Sequence, residues 1–158
     1  MSLIKWLLFL HITGAFFLIG GIVIAGTLNL AAAGKQRRPS EIATLYGLIR
    51  FAVPLIGLGL LFTLAFGLWL VHEAGFGYGD GWIVAALILW VLGSALGNLG
   101  GKSQRETRLL AERLANEGDA PSAELRARVL RPFPLAASYA SGLIALAILG
   151  IMIWRPGA

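Results

Sequence analysis

The sequence contains no cysteine and few charged residues. The absence of cysteine excludes disulfides, iron–sulfur clusters and thiolate metal sites within the chain. Charged residues are 13% of the total, against roughly 25% in soluble domains. Hydrophobic residues make up 58% and the mean hydropathy is +0.80. A water-soluble protein of this size cannot bury this much apolar surface in its core, so the composition indicates an integral membrane protein.

Charged residues divide the chain into four apolar stretches, each long enough to cross a bilayer as a helix. The predicted spans are about 6–33, 51–72, 81–101 and 132–154. The stretches do not alternate as membrane strands do. We therefore predict an all-α membrane protein consisting of a single domain, residues 1–158, built as a four-helix bundle.

The basic residues predict the orientation of this bundle. Of the thirteen Lys and Arg residues, only Lys5 and Arg155 lie on the side of the termini. By the positive-inside rule the loops that hold the other eleven face the cytoplasm, so both termini face outward. Four of the five tryptophans fall near the predicted outer ends of their helices, and Trp90 alone lies in mid-span. We expect a multi-pass protein of a bacterial-type plasma (inner) membrane, and the net charge of +5 then reflects topology and not binding to nucleic acid.

Two features point to contacts beyond the lipid bilayer. The cytoplasmic loop 102–131 is predicted to form two short helices separated by residues 118–121. The first of them is either a continuation of the third span or a helix that docks on a partner or on the lipid surface. Gly93, Gly97 and Gly101 form a tandem GxxxG pattern, which favours close helix packing. This packing is either internal or serves a homo-oligomer or a larger membrane complex.

His11 and His72 are the candidate site residues, because imidazole is a common ligand of haem iron. Counted from Lys35 and Arg50, the two histidines rise by roughly 36 and 33 Å along their helices. They are therefore predicted at similar depth near the outer face, where they could hold a b-type haem. The alternative is that His11 hydrogen-bonds a neighbouring helix and His72 is interfacial.

Other chemistry receives less support from the residues. Copper(I) favours thiolates and thioethers, and the chain has no cysteine and two methionines. The acidic residues lie outside the spans, and no nucleophile–base pair, carboxylate dyad or phosphate-binding loop is evident. We therefore predict no catalytic residues and favour a non-enzymatic role.

Several short motifs carry a resemblance to known proteins: Leu10-His11-Ile12-Thr13-Gly14, Gly20-Gly21, Pro54, Gly67 and Gly81-Trp82. With these the chain resembles a bacterial family of predicted integral membrane proteins of unknown function. That family is similar to the copper-resistance D proteins and to the HemJ-type protoporphyrinogen oxidases. In HemJ-like proteins a histidine on the first span and a lysine on the third are taken as haem ligands.

His11 matches the histidine of the HemJ-like pattern, but Ala86 occupies the place expected for the lysine. His72 would then have to supply the second haem ligand. The leading prediction is a four-span membrane protein of unknown function that binds b-type haem through His11 and His72. The alternatives are an accessory structural subunit of a larger membrane complex and a transporter of a metal or small solute.

Overall fold

The computed structural model describes residues 2–34 and 37–157, and within these ranges it contains helices and connecting turns but no strand. Five helices follow one another along the chain: α1 (Leu3–Ala32), α2 (Pro39–Glu73), α3 (Gly81–Asn116), α4 (Ala123–Val129) and α5 (Pro132–Trp154). Four of the helical segments are long and apolar enough to cross a membrane. The predicted all-α fold with four spans is confirmed. Lys35, used above to estimate the depth of His11, lies outside the described residues.

Two of the spanning helices extend well beyond their apolar stretches. α2 begins at Pro39, before the apolar segment that starts at residue 51, and α3 continues to Asn116. Charged residues end a hydrophobic stretch but do not end a helix. At about 1.5 Å per residue these helices are more than 50 Å long, which exceeds a hydrocarbon core of roughly 30 Å. The first predicted loop helix is therefore the extension of α3, and the second corresponds to α4.

The spans pack as two pairs. α1 lies along α2, and α3 lies along α5; α2 and α3 contact each other and join the pairs. The α1–α2 contact is close because glycines lie at the crossing. A β carbon built on Gly14 would lie 2.6 Å from the β carbon of Phe62, and one built on Gly59 would lie 2.7 Å from the Cα atom of Leu18. Small residues let two backbones approach in lipid, where no hydrophobic drive brings helices together.

The glycine pattern of α3 packs inside the chain. A β carbon built on Gly93 would lie 3.0 Å from Ile144, and one built on Gly97 would lie 3.1 Å from the hydroxyl of Ser141, both on α5. Gly101 has no such neighbour within 4 Å. Of the two alternatives, internal packing is therefore observed for Gly93 and Gly97, and a homo-oligomer or larger complex through these glycines stays a prediction.

At the end of the bundle that carries most of the basic residues, here called the basic end, the helices enclose a small core. Its buried members come from α1, α2, α3 and α4: Ala32, Ile42, Tyr46, Ile49, Ala111, Leu125 and Val129. The hydroxyl of Tyr46 donates a buried hydrogen bond of 2.8 Å to the side-chain oxygen of Asn29. This core explains why α2 and α3 stay helical beyond their apolar stretches: each presents an apolar face to it.

The turn after α3 is fastened to the start of α2. Asp119 accepts a hydrogen bond of 2.8 Å from the backbone N–H of Ser40 and another of 2.7 Å from its hydroxyl. Ser40 lies in the first turn of α2, where backbone N–H groups lack helical partners and negative charge is favourable. The hydroxyl and backbone hydrogen bonds from Ser40 hold the pKa of Asp119 below its usual value.

We expect the contact between Asp119 and Ser40 to weaken at low pH. Because the folded pKa is lowered, the stabilisation is complete above the unfolded value of about 3.9 and is lost as the pH falls through the folded pKa. Hydrogen exchange at the amide of Ser40 should therefore be slow from neutral pH down to about 3.9 and accelerate, relative to intrinsic rates, as the pH falls further.

Asp119→Asn is the matching variant, because asparagine tolerates the left-handed backbone found here at φ 54°. The amide should exchange faster in this variant and show no pH step. Glu117→Gln, in the same turn, is the control and should behave as the native chain. A step that persists in Asp119→Asn would show that another group controls the end of α2.

Candidate functional site

His11 is half-buried on the inner face of α1, where it meets α2. Its Nδ1 atom lies 3.0 Å from the carbonyl oxygen of Thr63. A β carbon built on Gly67 would lie 2.9 Å from the His11 ring, so the imidazole fits against a glycine. His11 is therefore placed as a helix-to-helix hydrogen-bonding residue, with Nδ1 as the donor.

His72 is exposed near the opposite end of α2 from the basic end. It lies five residues beyond Gly67, which corresponds to roughly 7.5 Å along the helix and about 140° around it. Because Gly67 faces His11, His72 points away from α1. The structure does not bring the two histidines together. Nor do the described residues contain a group of three or more His, Asp or Glu side chains that could hold a metal ion.

A large cavity lies elsewhere, between the α1–α2 pair and the α3–α5 pair. Its volume is about 810 Å³, and all four spanning helices line it. The walls are mainly aliphatic side chains and glycines, including Leu18, Leu60, Leu89, Ile144 and Ile148. Cavities that bind small molecules are commonly apolar with a few placed polar groups, and have volumes of roughly 300–1,000 Å³. The packing of the spans in pairs leaves this space between them.

Positive charge is concentrated where the cavity meets the basic end. Arg50 of α2 and Lys102, Arg105 and Arg108 of α3 line it there, and no Asp or Glu does. Arg108 lies 3.4 Å from Glu112, whereas the other three form no ion pair among the residues that the structure describes. One end of the cavity is thus cationic and the rest is mainly apolar, with the polar side chains of Ser94, Asn98 and Ser141 on the wall formed by α3 and α5.

One buried donor that lines the cavity, the indole N–H of Trp90, has no hydrogen-bond partner among the described residues. The Nε of Arg108 is also buried, but it lies 3.4 Å from Oε1 of Glu112 and is paired with that carboxylate. Buried donors are nearly always paired in proteins, because an unpaired one costs about 1–3 kcal/mol. Trp90, the one mid-span tryptophan, therefore presents a free donor in the cavity wall.

The apolar part of the cavity is similar in length to the thickness of one leaflet. On α3 the cavity is lined from Leu89 to Arg108, nineteen positions or roughly 28 Å, and the part from Leu89 to Lys102 is roughly 20 Å. Half of a hydrocarbon core is roughly 15 Å. The cavity therefore reaches from the predicted headgroup level at the basic end to the middle of the membrane.

From the sequence, the basic residues predict only the orientation of the spans, which depends on their position along the chain. That they share a cavity depends on which helices pair, and sequence periodicity does not determine this. The isolated mid-span Trp90 was the one available signal, since the other tryptophans lie at span ends.

Comparisons with known proteins agree with the membrane fold. Residues 5–156 match the family described as "Predicted integral membrane protein (DUF2269)". No curated protein and no solved structure matched the chain. The resemblance to copper-resistance D and HemJ-type proteins is not shown by these comparisons. Because the match covers nearly the whole chain, the protein is a member of the DUF2269 family of predicted integral membrane proteins.

Proposed function

We propose that this protein binds an anionic phospholipid in the cavity between its two helix pairs. The observation that carries the proposal is the division of the cavity into one cationic end and a long apolar remainder. A phospholipid has the complementary division, with a phosphate at one end and acyl chains at the other. Arg50 and Lys102 lie on different walls of the cavity, so a phosphate between them would be held from two sides.

The energetics favour an anionic ligand of this kind. Arg and Lys are the principal phosphate-binding side chains, and each contributes about 1 kcal/mol toward an anionic lipid near a membrane surface. Acyl chains inside the cavity would contact the aliphatic walls in place of lipid in the bilayer. The apolar part of the cavity therefore selects for acyl chains, and its cationic end selects for an anionic headgroup.

Haem bound through His11 and His72 stays a prediction from the sequence, and the geometry does not favour it. The hydrogen bond from Nδ1 of His11 to Thr63 leaves Nε2 free to ligate a metal, but His72 points away from α1 and neither histidine lines the cavity. An absorption spectrum of the purified protein distinguishes the two: a bound b-type haem gives a Soret band, whereas a bound phospholipid gives none. The residues that the structure describes show no feature that specifically favours the accessory-subunit or transport alternatives.

Neutralising the unpaired cations tests the proposal. In Lys102→Gln/Arg105→Gln we expect affinity for phosphatidylglycerol to fall roughly thirtyfold, which corresponds to about 2 kcal/mol for two charges. Both side chains are exposed, so the bundle should remain folded. The measurement is a titration with a fluorescent phosphatidylglycerol in neutral detergent, competed by unlabelled phosphatidylglycerol or phosphatidylcholine.

Arg113→Gln is the matched control. Arg113 lies on the same helix, is exposed, pairs with Glu117 at 2.9 Å and does not line the cavity. It should bind as the native chain does, and raising the salt concentration should weaken binding in both. Equal affinity in the double variant and the control, or equal competition by the two lipids, would contradict the proposal.

A further inference from the structure

The weakest side of the helix bundle lies between α1 and α5. α1 packs along α2, and α5 packs along α3, whereas α1 and α5 make few contacts with each other. Ala137 is the one buried residue of α5. The described residues include no hydrogen bond or ion pair between α1 and α5. Only van der Waals contacts hold this seam closed.

The cavity reaches the α1–α5 seam from within. Ile22, Ala25 and Gly26 of α1 and Gly142 and Ala145 of α5 all line it. Ile22 approaches Gly142 closely: a β carbon built on Gly142 would lie 3.3 Å from Cγ2 of Ile22. The cavity is not fully enclosed, and separating α1 from α5 at this point would widen its opening toward the surrounding lipid.

We infer that the ligand enters sideways through the α1–α5 seam, from the leaflet at the basic end, and is therefore a lipid of that leaflet and not an amphiphile taken from water. This inference rests on the proposed function. Opening the seam in a bilayer is inexpensive, because acyl chains replace the helix contacts that are lost. The headgroup would move along the membrane surface to Arg50 and Lys102, and its chains would never cross water.

A reversible cross-link across the seam tests this inference. The native chain has no cysteine, so Ile22→Cys/Gly142→Cys introduces a single pair, placed where the Ile22 side chain meets Gly142. Vesicles of phosphatidylcholine that contain deuterated phosphatidylglycerol supply the labelled lipid. Native mass spectrometry then follows the replacement of the unlabelled phosphatidylglycerol bound to the protein.

We expect oxidation to slow lipid replacement at least tenfold and reduction to restore it. The single variants Ile22→Cys and Gly142→Cys should show the same rate with oxidant and with reductant. If the oxidised double variant retains lipid but replaces it as fast as the same variant does without the disulfide, the entrance is elsewhere and the proposed binding function stands. If no disulfide forms, the seam geometry is wrong. If the native chain binds no phosphatidylglycerol at all, the proposed function fails, and this inference fails with it.

Discussion

Replacing Gly59 by alanine is expected to lower the free energy of unfolding by about 2 kcal/mol. Gly59 is buried on α2 against α1, and a β carbon there would lie 2.5 Å from the backbone nitrogen and 2.7 Å from the Cα atom of Leu18. These are backbone atoms, so no side-chain rotation relieves the clash and the two helices must separate. The lost packing outweighs the gain of up to about 1 kcal/mol that alanine brings within a helix.

Gly47→Ala on the same helix is the control for this prediction. Nothing lies within 4 Å of a β carbon built on Gly47, so the substitution should leave the stability unchanged or raise it by up to about 1 kcal/mol. Thermal or denaturant unfolding in a fixed detergent, followed by circular dichroism, provides the measurement. Equal stability of the two variants would show that α1 and α2 do not meet at Gly59.

Replacing Ala145 by tryptophan is expected to lower the affinity for phospholipid at least tenfold. Ala145 lines the cavity from α5, and an indole there would occupy space that the acyl chains need. The basic end is unchanged in this variant, so a surviving interaction would come from charge alone. The same fluorescent phosphatidylglycerol titration measures the effect.

Leu146→Trp is the matched control, one position along the same helix. Leu146 is 55% exposed and does not line the cavity, so a tryptophan there should extend into the lipid and leave the affinity unchanged. Circular dichroism confirms that both variants retain their helices. If Ala145→Trp binds phosphatidylglycerol as well as Leu146→Trp does, the lipid does not occupy the cavity.

Hydropathy was sufficient to predict the membrane-spanning part of the fold. An apolar run of this length has few stable arrangements other than a spanning helix, because every backbone hydrogen bond must be made within the segment. The ends of α2 and α3 were harder to place. Their extensions are stabilised by contacts with Leu125 and Val129 of α4, which are remote in sequence from α2.

The packing partners could not be predicted from the glycine pattern. A GxxxG motif indicates a face on which a backbone can approach, but it does not specify whether that backbone belongs to the same chain. In the structure Ser141 and Ile144 of α5 cover Gly97 and Gly93. Two of the three glycines are therefore used for packing within the bundle.

The candidate site also depends on packing that a local sequence pattern does not specify. Equal heights above the basic residues made His11 and His72 a plausible pair, but height along a helix does not determine direction around it. The Thr63 carbonyl and Gly67 fix the orientation of His11, and both lie more than fifty residues away in sequence. The cavity is a product of two pairings, α1 with α2 and α3 with α5, and no local pattern records it.

The most direct test of phospholipid binding is to identify the lipids that remain with the protein after extraction. The native chain would be purified in a neutral detergent, washed extensively, and examined by native mass spectrometry with fragmentation of any bound lipid. The prediction is an anionic phospholipid on the native chain and its loss in Lys102→Gln/Arg105→Gln but not in Arg113→Gln. A native chain that carries no phospholipid, or carries zwitterionic and anionic lipids in the proportions of the membrane, would contradict it.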